Sequence, residues 1–120
     1  MNKNTSKIFI NQDERLWYEK RKAIEVRIKS EFPTLFESVS RCIFNHDPMH
    51  INVHDNYDEY DPEAACIIER LPSCSSADDL KIVFESVFED MFSIDLSDKY
   101  LGRDDIVYDI WRVFSEVGFR

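Results

Sequence analysis

Residues 76–92 read SADDLKIVFESVFEDMF, and within them Leu80, Val83, Phe84, Val87, Phe88 and Met91 recur at separations of three and four. That spacing returns apolar side chains to one face of a 3.6-residue period, so the segment predicts an amphipathic helix with a buried stripe. Ser76 stands where the helix begins, and Asp79 three residues later resembles a capping box with Asp in place of the usual Glu.

The flanking sequence repeats the pattern. After a break around Asp95 to Gly102, Asp104 or Asp105 opens a last helix with Ile106, Ile110, Val113, Phe114 and Val117 inward, and Gly118 is placed to end it. On the N-terminal side, Asp61 reads as an N-cap, with Pro62 in the first helical position and Glu63 in the first turn, where its charge suits the helix dipole. That helix carries Ala64, Ile67, Ile68 and Leu71 and stops at Pro72. Further upstream, Asp13 to Lys29 places Trp17, Ile24 and Ile28 at separations of seven and four, a long first helix. Pro33 either kinks this helix or, with Ser30 as a cap, starts a second. Leu35, Phe36, Val39 and Ile43 continue the stripe until Asp47-Pro48 ends it.

Between Pro48 and Asp61 there is no helical period, and Ile51-Asn52-Val53 offers at most a short extended piece. The expected fold is therefore all-α: a single-domain bundle of four or five amphipathic helices over residues 1–120, with a long acidic loop at 48–61 and residues 1–10 flexible.

Composition bounds the function. A chain of 120 residues with nine Phe, five Tyr and two Trp has material for one packed core. Its 24 Asp and Glu outweigh 15 Lys and Arg, a formal charge of -9, which argues against gripping nucleic acid through phosphates. Only Gly102 and Gly118 are glycines, so there is no glycine-rich phosphate cradle. Cys42, Cys66 and Cys74 are odd in number and lack Cys-x-x-Cys spacing, which favours free thiols over a disulfide framework or a zinc ribbon. Residues 1–11 hold only Ile8, Phe9 and Ile10 as an apolar run, far short of a signal-peptide core, and the longest apolar run, Ala64 to Ile68, is too short to cross a bilayer. These features set the expectation of a cytoplasmic protein with no membrane partner.

Three constellations invite a chemical reading. His46, His50 and His54 stand at spacings of four among Asp47, Asp55 and Asp58, the pattern a metal-dependent hydrolase would use. Pro48 breaks any helix across all three, so solvated loop histidines are the competing reading. The acids Asp55, Asp58, Glu59, Asp61 and Glu63 lack the glycine and ligand spacing of a calcium loop. As paired carboxylates they would serve acid–base chemistry, or else be solvated. Cys66 or Cys74 with a histidine would make a nucleophilic pair, against the alternative of a buried inert thiol.

Charge along the chain is unevenly divided. Residues 1–41 hold nine Lys and Arg against six Asp and Glu, a net of +3, whereas residues 42–120 hold six against eighteen, a net of -12. Residues 42–63 contain six acids and no Lys or Arg, together with Tyr57 and Tyr60. Aromatic side chains amid charge of one sign suit a protein-binding patch, supplying rigid contact area and electrostatic steering. A solvated acidic loop with Asp61 as a helix cap is the alternative.

Asp47-Pro48-Met49 closing a helix, Asp58-Glu59-Tyr60-Asp61 opening another, Ile67 and Leu71, Ser76-Ala77-Asp78-Asp79-Leu80 and Met91-Phe92 together resemble a group of small bacterial helical proteins. The arrangement is also similar to immunity proteins of contact-dependent growth inhibition systems, over roughly residues 20–95. The resemblance carries Asp47, Pro48, Asp58, Glu59, Tyr60 and Asp61 as motif positions. It implies a cytoplasmic antitoxin without catalysis or cofactor, whose partner is a toxin domain, commonly a nuclease acting on transfer RNA. The partner-binding residues expected on this reading are Asp47, Asp55, Tyr57, Asp58, Glu59, Tyr60, Asp61 and Glu63, with Glu85 and Glu89 on the following helix; a generic helical adaptor is a further alternative.

Overall fold

The computed structural model describes residues 12–51, 57–93 and 103–120. Five helices run in the order α1 (Gln12–Glu31), α2 (Pro33–His46), α3 (Asp61–Arg70), α4 (Ala77–Phe92) and α5 (Arg103–Val117), with a short 3₁₀ turn at Leu71–Ser73 after α3. No strand occurs among the described residues, so the all-α expectation holds. Residues 1–10, the middle of the 48–61 loop with most of the Ile51-Asn52-Val53 piece, and the whole Asp95–Gly102 break lie outside the described residues.

Pro33 divides the first apolar stripe into two helices. Phe32, the residue before the proline, leaves the helical region at φ −132° and ψ 61°, as the clash with a following proline ring requires. The interruption is local: Phe32 N–H still donates to Ile28 C=O at 2.9 Å, and Phe36 N–H to Phe32 C=O at 2.8 Å. Phe32, rather than Ser30, occupies the cap position of α2, and it makes no side-chain cap bond there.

Helix α3 is the centre of the bundle, packing on α1, α2 and α4, while α5 closes the other side against α2 and α4. Ala64, Ala65, Ile67 and Ile68 are all essentially inaccessible. A helix buried on several faces needs this composition, and the two alanines let neighbouring helices approach closely. Leu80, Val83, Phe84, Val87 and Phe88 of α4 are buried as their spacing predicts, with Met91 partly so. Phe84 and Phe88 stack with ring centroids 4.4 Å apart, and Tyr60 lies 6.1 Å from Phe88. On α5, Ile106, Val107 and Ile110 are buried, and Val113, Phe114 and Val117 pack at the edge of the core.

The helix ends follow local chemistry. Ser76 caps α4 by accepting Asp79 N–H at 3.2 Å. The shorter Asp79 side chain returns to Ser75 rather than to the cap residue, accepting from its N–H at 2.9 Å and its hydroxyl at 3.1 Å. Asp47 ends α2 in the left-handed region at φ 49°. Asp61 is not the N-cap of α3: Tyr60 holds that position, and Asp61 is the first helical residue with its carboxylate turned inward.

Candidate functional site

The residues expected to bind a partner separate into two groups by burial. Tyr60, Asp61 and Glu63 point into the protein, and their expected place on a binding surface is corrected accordingly. The Tyr60 hydroxyl donates to Asp47 Oδ1 at 2.7 Å and accepts Met49 N–H at 3.0 Å, while the same Asp47 oxygen accepts Ile51 N–H at 2.8 Å. Burial and the Asp47 carboxylate both push the Tyr60 hydroxyl above the usual phenol range. Asp47 is thus half-buried and engaged in holding the loop start. The Asp61 carboxylate accepts from the buried Ser40 hydroxyl and pairs with Lys29 at 3.5 Å.

Glu63 is 6% exposed, and its Oε1 has no hydrogen-bond partner. Desolvation, offset in part by its own backbone amide and reinforced by Glu25, Glu59 and Asp61, raises its carboxyl to about 7. Glu25 is also buried; Lys29 at 3.5 Å and Lys22 at 3.8 Å supply its cations.

Tyr57 and Asp58 remain outside, with Glu59 half-buried and Asp55 beyond the described residues. Tyr57 is 49% exposed, yet its ring is fixed: Phe44 lies 4.9 Å away and the Arg41 guanidinium sits 4.7 Å above it. Tyr57 and Asp58 line a groove shared with Lys29, Phe36, Glu37 and Arg41, so the acidic segment faces cations from α1 and α2. Glu85 and Glu89 are half-buried on α4, and neither lines this groove.

Part of the charge asymmetry is satisfied within the fold. Basic residues of α1 meet acids of the later helices: Arg21 with Asp90 at 2.8 Å, Arg27 with Glu69 at 2.9 Å, and Lys29 with Asp61. Trp17 Nε1 also donates to Asp90, at 3.3 Å. The two exposed pairs, Arg21–Asp90 and Arg27–Glu69, are each worth about 0–1 kcal/mol; their main effect is on where free negative potential remains.

Among the described residues, His46 and His50 join no common ligand group in the loop. His50 is exposed in a left-handed turn at φ 57°, and His54 lies outside the described residues. His46 ends α2 and contacts α5 instead: its Nε2 is 2.7 Å from Asp109 Oδ2. Among the described residues, the group whose ligating atoms converge is Cys42, His46 and Asp109, all within 4.8 Å of one another. Cys42 and His46 are four apart and share a face of α2. The Arg112 guanidinium holds the other Asp109 oxygen at 3.3 Å, and these contacts with His46 and Arg112, the former the larger, keep the Asp109 carboxyl below its ordinary range.

All three cysteines are free. Cys66 is 8% exposed, and burial pushes its thiol up to about 11. Cys74 is raised in the same way. Neither joins the histidine group, so the cysteine that meets a histidine is Cys42 and not Cys66 or Cys74. The Cys42-x-x-x-His46 spacing on a predicted helix was the available signal; Asp109, from a distant helix, had none.

No family model, curated protein or solved structure matches the chain. Among the described residues, no helix is long and apolar enough to cross a membrane.

Proposed function

We propose that this protein is a binding inhibitor without catalysis of its own, an antitoxin or immunity protein that occupies the basic surface of a cognate toxin nuclease in the cytoplasm. The observation that carries the reading is Tyr57, an exposed aromatic ring already held in place by Phe44 and Arg41 beside the exposed Asp58. An anchor ordered before binding loses little entropy on association, and aromatic anchors of this kind dominate binding energy at interfaces. The formal charge of -9 adds long-range attraction. A nuclease must present a basic surface to hold phosphates, and complementary charge steers association at up to about 10⁸–10⁹ M⁻¹s⁻¹ at low salt.

The interface on this reading centres on Tyr57 and Asp58, with Asp55 and Glu59 beside them in sequence. Surface plasmon resonance with the toxin domain encoded immediately upstream tests it. Tyr57→Ala weakens binding ~10-fold or more through dissociation, whereas Asp58→Asn slows association and flattens its salt dependence. No binding at moderate salt would remove the reading. Binding that neither variant changes would move the interface elsewhere.

A further inference from the structure

We propose that Cys42, His46 and Asp109 form a binding site for a divalent transition-metal ion of the zinc class, tying α2 to α5 and leaving a fourth coordination position open to the groove. The donor set is one thiol sulfur, one imidazole nitrogen and one carboxylate oxygen, all within 4.8 Å of one another. Sulfur and imidazole donors select zinc, cobalt and their neighbours over magnesium or calcium. Three protein ligands with an open position are the arrangement of zinc sites that accept an exogenous ligand.

Seating an ion requires side-chain movement in both directions, since separations of up to 4.8 Å must shorten while the shortest lengthens. Bond lengths of about 2.0–2.3 Å place tetrahedral ligand atoms about 3.3–3.6 Å apart. The His46 Nε2–Asp109 Oδ2 separation of 2.7 Å is the contact that must open. Asp109 is part-exposed and turns to open it while Arg112 keeps its other oxygen; Cys42 and His46 stand four apart on one face of α2. Arg112 on the opposite carboxylate oxygen, itself 3.9 Å from Glu116, plays the orienting part that outer-shell partners play in metal sites. The groove around the three ligands also holds Glu37, Asn45 and Arg41. The positive charge of Arg41 and Arg112 opposes an entering cation, and the acidic balance of the whole chain favours it.

A cysteine nucleophile is the competing use of the same atoms, and its chemistry is unfavourable. Burial and the neighbouring Asp109 push the Cys42 thiol up to about 11, leaving almost no thiolate at neutral pH. A bound cation reverses this balance, because a coordinating thiol gives its proton to solvent and ligates as the thiolate.

Titration of the full, tag-free chain with Co²⁺ tests the site. The wild type gives a sulfur-to-cobalt charge-transfer band that saturates at one equivalent and is bleached by Zn²⁺, and Zn²⁺ raises its Tm. Cys42→Ser abolishes the band, Cys66→Ser and Cys74→Ser retain it, and His46→Gln or Asp109→Asn weakens binding at least ~10-fold. If Cys42→Ser fails to fold by circular dichroism, His46→Gln and Asp109→Asn carry the decision. Absence of the band in the wild type, or its survival at full affinity in Cys42→Ser or in both His46→Gln and Asp109→Asn, overturns the proposal.

Discussion

The Tyr60 hydroxyl reaches back 13 residues to donate to Asp47 Oδ1 at 2.7 Å, joining the start of α3 to the end of α2 across the loop between them. The same Asp47 oxygen receives Ile51 N–H, and the Tyr60 oxygen receives Met49 N–H. One buried hydroxyl and one carboxylate therefore satisfy two loop amides and fix where the chain leaves α2. Asp47 and Tyr60, both motif positions in the family resemblance, serve the fold in these contacts, and so does Asp61 through Ser40 and Lys29.

Tyr60→Phe should accordingly destabilise the protein by about 1–3 kcal/mol, because the ring still fills its place while Met49 N–H and Asp47 lose a buried partner. Urea unfolding checks this through the midpoint at unchanged m-value. An unshifted midpoint would mean that the hydroxyl contributes nothing net. Asp47→Asn, which keeps an acceptor oxygen, should cost less than Asp47→Ala.

Glu63 gives the stability a pH dependence of opposite sign to the usual carboxylate. Its folded value of about 7 lies above its ordinary 4.5, so between those pH values the native state holds a proton that the unfolded chain has released. This group's contribution is fully favourable below about 4.5, is lost as pH rises through about 7, and is constant above that. Glu63→Gln removes the titration and should stabilise the protein by about 3 kcal/mol at pH 8, taking 1.36 kcal/mol for each pH unit of the shift. The advantage should shrink towards pH 5. Denaturant unfolding of both forms at pH 5 and 8 measures the difference; a pH-independent gap would show that Glu63 does not titrate in this window.

The helices were legible because their signals are local. Periodicity located the buried stripe of α4, Ser76 its start, and Asp47-Pro48 the end of α2. Asp61 was misread for the complementary reason. An Asp before Pro62 has the local chemistry of a cap, but Ser40 and Lys29, 21 and 32 residues away in sequence, draw its carboxylate inward. Glu63 likewise looks like a solvated first-turn acid until α3 is seen to be packed by α1, α2 and α4. The metal-ligating group was half legible: Cys42 and His46 are a helical pair, and Asp109 joins them only through the packing of α5 on α2.

Ser76 and Asp79 divide the capping of α4 between them, which separate substitutions resolve. Ser76→Ala removes the acceptor for Asp79 N–H and should cost about 1 kcal/mol. Asp79→Ala removes both bonds to Ser75 together with a charge that favours the helix N-terminus, and should cost a similar amount. Because Asp79 bonds Ser75 rather than the Ser76 amide, the two contacts are not reciprocal, and the double variant should lose nearly the sum of the two. Thermal unfolding of the three variants tests this, and a double variant no worse than either single would show that the two contacts act as one unit.

Gly118 ends α5 at φ 70°, its N–H donating to Phe114 C=O at 2.8 Å. Beyond it, Phe119 packs on Phe32 and Phe114, and Arg120 C=O accepts Leu35 N–H in the first turn of α2 at 2.8 Å. The tail thereby supplies a partner to an amide that a helix start leaves unpaired, while α2 has no side-chain cap of its own. A Cβ at Gly118 would meet nothing within 4 Å, so substitution there reports the backbone conformation alone. Gly118→Ala should cost about 1–2 kcal/mol, and Gly118→Asn less, since Asn visits the left-handed region more readily. Leu35 N–H reports on the tail directly: if Gly118→Ala displaces residues 119–120, hydrogen exchange at that amide should accelerate in step with the loss of stability. Equal stabilities for the Ala and Asn variants would show that the left-handed geometry is not what limits this position.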